Sequence, residues 1–254
     1  MTIVEQRATP VFKSNSLARA QMRGRKQQLS ASEQKAILFL ISKIKPTDSE
    51  LKSYTFNISD FCRVCGLSPY NGGARKSIRN VLQDLRNKSV WIRNDNGDDV
   101  LCGWLQKVIL RKDGLIDVRF DEDMRPFLIE LESNFTAFSL KYCLAMTSKY
   151  AIRLYEILKS YEFQKKAEFS TEALRGLLGI DDKYPYFGNL RQKVLDPAIR
   201  EIREFTDLNI ELECVREQGR VASVIFTITQ KSTEEWAQTW HDIDLILDEG
   251  GRKP

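Results

Sequence analysis

Two sets of side chains in this 254-residue sequence could do chemistry. One is the cysteine pair Cys62-x-x-Cys65; the other is a series of arginines and lysines interleaved with asparagine and glutamine. A C-x-x-C pair can ligate zinc or cycle between dithiol and disulfide. Zinc would need a second Cys or His pair at ligand spacing, and none is present; the one histidine, His241, stands alone. That single histidine also excludes two-histidine metal centres. The run Phe61-Cys-Arg-Val-Cys65 puts both sulfurs on the helix face that carries Phe61, so the pair reads as buried core. No glycine-rich phosphate loop, nucleophile elbow or metal-binding helix motif occurs. The carboxylate pairs Asp121/Asp123 and Asp181/Asp182 lie in turn-like sequence and make no catalytic case. The expectation is a protein without enzymatic activity, cofactor or bound metal.

The basic residues point elsewhere. Net charge is only +4, yet residues 1–30 hold Arg7, Lys13, Arg19, Arg23, Arg25 and Lys26 against Glu5 alone. A second cluster between Gly72 and Arg93 has Arg75, Lys76, Arg79, Arg86, Lys88 and Arg93 against Asp84. From Ser232 onward the chain turns acidic. A surface that neutralises phosphates needs local patches of this kind rather than a global excess. With 42% apolar residues and no apolar run near the roughly 20 residues of a membrane span, the chain reads as two packed cores without a membrane partner. Five cysteines without a secretory signal fit reduced thiols in the cytoplasm.

The elements that must position these charges follow from capping and periodicity. Ser30-x-x-Glu33 is a capping box opening a helix with Ile37, Leu40, Ile41 and Ile44 on one face. Tyr54–Ile58 alternates as a short strand, and Ser59 is suited to cap a second helix. The turn Gly66–Gly73 precedes a third helix with Ile78, Val81, Leu82 and Leu85 inward. Strand-like runs follow at Val90–Arg93, Val100–Arg111 and Leu115–Phe120. Helix, helix, turn, helix and hairpin is the order of a winged helix-turn-helix.

That order recurs. Thr147 opens a helix with Ala151, Leu154, Tyr155, Leu158 and Tyr161 on one face, and Ser170 caps a short helix ending at Gly179. A long helix is expected over Phe187–Phe205, with a kink where Pro197 leaves the Lys193 carbonyl without its donor. Two strands, Leu208–Val215 and Val221–Thr229, then flank the tip Arg216–Arg220. Phe56 and Phe169 are 113 residues apart, as are Gly66 and Gly179. The expected fold class is α+β, with two tandem winged helix-turn-helix domains related by degenerate duplication. The expected layout is a basic flexible arm over 1–29, domains over 30–132 and 133–230 with a joint near 121–146, and a short acidic tail over 231–254.

At 100° per residue, the outer face of the third helix presents Arg75, Lys76, Arg79, Asn80 and Gln83. Arginine and lysine pair with guanine in the major groove, asparagine and glutamine with adenine. Gly73 at the helix start would let backbone amides approach a phosphate. The second long helix offers Asn189, Lys193, Arg200 and Arg203 on or near its outer face and Arg191 and Gln192 near its N-terminal end, with Asp196 on the same face opposing phosphate unless it accepts from a base amine. Lys183 in the preceding turn, and Arg216 and Arg220 at the hairpin tip, could reach the backbone. In the first module Arg93 and Lys112 could do the same, although Asp95, Asp98 and Asp99 make that tip unwelcoming to phosphate. Double-stranded DNA is the expected partner.

Several segments together resemble a known family. They are the helix Ser30–Lys45; Phe56-x-Ile58-Ser59-x-Phe61…Gly66; Leu82-x-x-Leu85…Ser89-Val-Trp91-Ile92; Phe169-Ser170…Leu177-Leu178-Gly179; and Tyr186-x-x-Asn189-Leu190-x-x-Lys193-Val194-Leu195-x-Pro197-Ala-Ile199-x-Glu201-Ile202. Over residues 30–230 the chain resembles the tandem winged-helix replication initiators of theta-replicating bacterial plasmids, which bind origin repeats called iterons. The resemblance implies binding of origin repeats and an operator, opening of adjacent AT-rich DNA, and recruitment of a host initiator and the replicative helicase. It also implies autorepression by a dimer formed through the first domain, with monomers binding iterons. It assigns much of the base contact to Asn189, Arg191, Gln192, Lys193 and Arg200, and a second groove contact one helical turn away to Arg75, Lys76 and Arg79. A winged-helix transcriptional repressor without an initiation role stays open as the alternative.

Overall fold

A computed structural model describes residues 2–22, 24, 26–45, 48–65, 74–129, 131, 133–180 and 183–248. The chain begins with helix α1 (Ile3–Ala8), strand β1 (Pro10–Ser14) and one helical turn, α2 (Asn15–Ala18). This corrects the expectation of a flexible N-terminal arm. Val11 and Lys13 alternate inward on β1 and both are buried, so Lys13 occupies a core position that its charge concealed in the sequence. It ion-pairs with buried Glu156, and burial pulls its pKa below the usual lysine range. Arg7 pairs with Asp248 at 2.8 Å and Arg19 donates to Ser160. Three of the six cations in residues 1–30 are therefore spent inside the fold; Lys26 is exposed, and Arg23 and Arg25 lie outside the described residues.

The first module runs α3 (Ala31–Ile41), β2 (Tyr54–Asn57), α4 (Ile58–Cys65) and α5 (Ala74–Asn87). The Ser30/Glu33 capping box forms in both directions, at 3.3 and 2.6 Å. Asn57, rather than Ser59, caps α4, accepting from the Ser59 amide at 3.1 Å. Phe39, Phe56 and Phe61 pack in mutual contact, with Phe39 edge-on to the other two at 5.3 Å. Cys62 and Cys65 are buried beside them, and burial raises both thiol pKa values.

The run expected as one strand over Val100–Arg111 divides at Trp104. Its first half, β4 (Asp99–Gly103), pairs with β3 (Ser89–Arg93) in a separate two-stranded sheet. Its second half, β5 (Leu105–Leu110), pairs with β6 (Leu115–Phe120), which also pairs with β2. The wing is therefore β5–β6, with strand order β2-β6-β5.

The segment expected as a joint contains α6 (Arg125–Leu128), β7 (Phe135–Ser139), antiparallel to β1, and α7 (Leu140–Ala145). The second module follows as α8 (Lys149–Lys159), β8 (Lys166–Ser170) and α9 (Thr171–Leu178). Ser148, not Thr147, caps α8. A long helix then comprises α10 (Phe187–Leu190), a π-helical turn (Arg191–Leu195) and α11 (Asp196–Phe205). The hairpin β9 (Leu208–Glu217) and β10 (Arg220–Gln230) gives strand order β8-β10-β9, the arrangement of the first wing. Helices α4 and α9 are offset by 113 residues at both ends, and α5 and α10 begin at the same offset.

The acidic tail forms α12 (Thr233–Asp248), whose Ile243 and Leu247 are buried. Trp240 lies edge-on to Tyr142, and Lys141 pairs with Asp244 at 2.7 Å. Among the described residues no helix is long and apolar enough to cross a membrane.

Candidate nucleic-acid interface

Each module presents the outer face of its third helix beside its own wing. On α5, Ile78, Leu82 and Leu85 are buried, as their spacing requires, while Arg75, Lys76, Arg79, Asn80, Gln83 and Arg86 are exposed. Two of these cations tie the helix to its wing. Arg75 donates to the Arg111 carbonyl and Arg86 to the Gln106 carbonyl, both at 3.0 Å. Between helix and wing runs an open groove lined by Arg79, Gln83, Arg86, Gln106 and Lys107. Lys107 is an exposed basic residue that sequence reading missed, because it lies within the strand-like run Val100–Arg111 and outside the third helix. Gly73, Gly72 and the rest of the turn 66–73 lie outside the described residues, as does the Asp181/Asp182 pair.

Other basic residues of the first cluster do not join this face. Lys88 is turned inward to Glu33 at 2.6 Å. Arg93 lies on the β3–β4 hairpin rather than the wing, held by Asp99 at 2.9 Å. The acidic tip Asp95–Asp99 belongs to that same separate hairpin. Lys112 does sit at the wing turn and is exposed.

In the second module Asn189, Arg191, Gln192, Lys193 and Arg200 are all exposed, while Leu190, Val194, Ala198 and Ile202 are buried. Just before Pro197, where a kink was expected, the helix widens: the Asp196 amide donates five residues back, to the Arg191 carbonyl. Pro197 follows this turn directly, so the wide turn stands where proline's missing N–H leaves the helix ladder short of a donor. Val194 and Leu195 are both buried, so two successive side chains turn inward at the end of the wide turn. The π turn spans Arg191–Leu195 and carries three of the exposed polar side chains, Arg191, Gln192 and Lys193. Such π turns recur at functional positions.

Local contacts hold this helix in place. Arg175 of α9 donates to the carbonyls of Lys183 and Tyr184, at 2.8 and 2.6 Å, and so shapes the turn before α10. Tyr184 takes the left-handed conformation there, with φ of 57°. Glu201 on α11 accepts from the Thr147 and Ser148 amides at 2.8 and 3.0 Å, which locks the helix to the start of α8. Arg203 donates to the Ile210 carbonyl and pins α11 to β9. None of these roles has a sequence signature, since each donor meets an acceptor on another element.

Lys183 is exposed in the turn, and Arg216 and Arg220 are exposed at the end of the long hairpin. Gln218 and Gly219, both at positive φ, make a two-residue turn between β9 and β10. The structure thus gathers Asn189, Arg191, Gln192, Lys193 and Arg200 on one helix, with the hairpin cations on the adjoining wing. Among the described residues no group of three or more His, Cys, Asp or Glu side chains could hold a metal ion.

Two family models match the chain: "Initiator Replication protein, WH1" over residues 10–159 and "Initiator Rep protein, WH2" over residues 170–228. The chain belongs to the replication-initiator family. The WH1 match begins at Pro10, so it takes in β1 and most of the segment expected as a loose arm. A replication initiation protein of Escherichia coli is 24% identical over 214 residues, covering 80% of this chain and 65% of that relative's length. A crystal structure of a Pi initiator protein in complex with iteron DNA has the same fold. Its TM-score is 0.71 at 17% identity, over 89% of this chain and 99% of that one. The tandem winged-helix architecture is thus that of a replication initiator.

Proposed function

We propose that this chain initiates plasmid replication by binding repeated duplex sequences at its origin, with α5 and the α10–α11 helix each entering a major groove. The observation that carries this reading is the pair of exposed polar helix faces, each third in a winged module and each beside its own wing. Arg191 and Arg79 have the donor geometry for guanine edges, and Asn80, Asn189 and Gln192 for adenine. Lys76, Lys107, Arg200, Arg216 and Arg220 supply the phosphate contacts that position the helices. Family membership and a structural neighbour solved with iteron DNA support the same reading. Autorepression by a dimer formed through the first module, and recruitment of a host initiator and helicase, extend it by the family's pattern.

A replicon tests it in cells. A selectable plasmid carrying only the DNA that flanks this chain's gene should be maintained when the chain is supplied in trans. It should be lost when the supplied chain carries Lys76→Ala, Asn80→Ala, Gln192→Ala and Lys193→Ala together. Maintenance without the chain, or with that folded variant, would overturn the proposal.

A further inference from the structure

The segment from β1 to Leu29 lies between the two modules and is bonded to both. Toward the first module, Gln21 and Trp91 exchange backbone hydrogen bonds at 3.0 and 3.1 Å. The Ser89 amide donates to the Gln27 side chain at 2.7 Å, and Lys88, the residue after α5, donates to the Gln28 carbonyl at 3.0 Å. Toward the second module, Arg153 of α8 donates to the carbonyls of Ala18 and Ala20, and also to that of Leu177 in α9. Arg19 donates to the Ser160 hydroxyl and carbonyl at 2.8 and 2.7 Å and stacks on Tyr161, 3.8 Å from the ring centre.

Gln28 bridges the modules by itself. Its carbonyl accepts from Lys88 at the end of α5. Its side chain donates to the Gly179 carbonyl at the end of α9 and accepts from Lys149 of α8 at 3.1 Å. Gly179 has φ of +64°, and a Cβ there would come within 2.9 Å of Gln28, so glycine is what allows this close passage. Each recognition helix is anchored to one of these contact points. Helix α5 runs directly into Lys88, and α11 is locked to α8 through Glu201. The modules also touch directly, where Gln34 donates to the Lys149 carbonyl, and Lys35 donates to that of Leu144 on α7, just ahead of the second module. Loss of one strap contact should therefore loosen the pair without separating it.

We propose that this N-terminal strap, through Gln28 and Arg19, is the positioning element that fixes the separation of the two recognition helices and so selects the base-pair spacing both can read at once. The inference rests on the DNA-binding reading and deepens it. Two modules held rigidly gain affinity from simultaneous engagement only on a matching spacing; a looser pair tolerates other spacings but gains less on the matched one.

The test compares the full-length chain with Gln28→Ala and with Arg19→Ala, each confirmed folded by its near-ultraviolet circular dichroism. The probe is a duplex carrying the repeat flanking this chain's gene, intact or with one base pair inserted between the two footprinted contact zones. The native chain should lose about 10²-fold in affinity on the insertion. Either variant should lose affinity on the intact repeat and show a penalty for the insertion at least several-fold smaller. The same penalty in variant and native chains would overturn the strap's role while leaving DNA recognition standing. No preference of the native chain for the repeat over scrambled duplex would overturn both.

Discussion

Arg191 donates from Nε to Oδ1 of Asp196 at 3.3 Å, within the exposed face of the second recognition helix. The carboxylate read from sequence as an obstacle to phosphate therefore has an arginine to orient. Its Nη1 also lies 3.8 Å from the Cys214 sulfur on β9, so one guanidinium joins helix and wing. Arg191→Ala should cost about 1–3 kcal/mol at one base pair and relax specificity there. Asp196→Ala should raise affinity for scrambled duplex and narrow its gap from the repeat. Competition titrations with single-base variants of the repeat read both effects, and equal losses on repeat and scrambled DNA for Arg191→Ala would contradict the assignment.

Lys76 is exposed on α5 beside Arg75 and Arg79 and has the role of a phosphate contact. Replacing it with alanine should weaken binding uniformly across sequences. The slope of log K against log salt should become shallower by about 0.9, one released counterion. Binding measured from 50 to 300 mM salt checks this, and an unchanged slope counts against it.

The Lys13–Glu156 pair is buried on both sides. Lys13→Met leaves Glu156 with only Arg153, 3.7 Å away, and should cost about 3–5 kcal/mol of folding stability. Adding Glu156→Gln removes the stranded charge and should restore part of the loss. Urea midpoints of the native, single and double variants decide the matter; a single variant as stable as the native chain would show the pair to be dispensable.

Of the five cysteines, four are buried and Cys214 is half-buried on the wing strand beside Arg191. One thiol should react with a disulfide reagent under native conditions and five in denaturant. Bound repeat DNA should slow the native reaction severalfold, because the helix and wing that flank Cys214 would then be covered. Unaltered labelling with DNA bound would move the interface to another face.

Much of the fold was legible because local signals agreed with one another. The Ser30 capping box, the apolar stripes of α5 and α11, and the 113-residue offset of Phe56 and Phe169 each report on the element that contains them. The strap was not legible, since its decisive contacts join residues far apart: Lys13 finds its partner 143 positions away and Gln28 finds Gly179 151 positions away. A lysine in a strand reads as solvent-facing until its partner is known. The change of sheet at Trp104 was hidden for a related reason, as apolar residues continue on both sides of the break. At the candidate interface, the exposed polar side chains followed from helical periodicity. The π turn and the anchors Arg175 and Glu201 did not, because they depend on where neighbouring carbonyls and amides fall.

Sequence-specific recognition by the two helices is tested most directly by an equilibrium titration of the purified chain against labelled repeats from the DNA flanking its gene. A scrambled duplex serves as the control, at several salt concentrations. Binding to the repeats should be tighter by about 10³-fold or more, with a steep negative salt slope. Equally weak binding to both duplexes would contradict sequence-specific recognition.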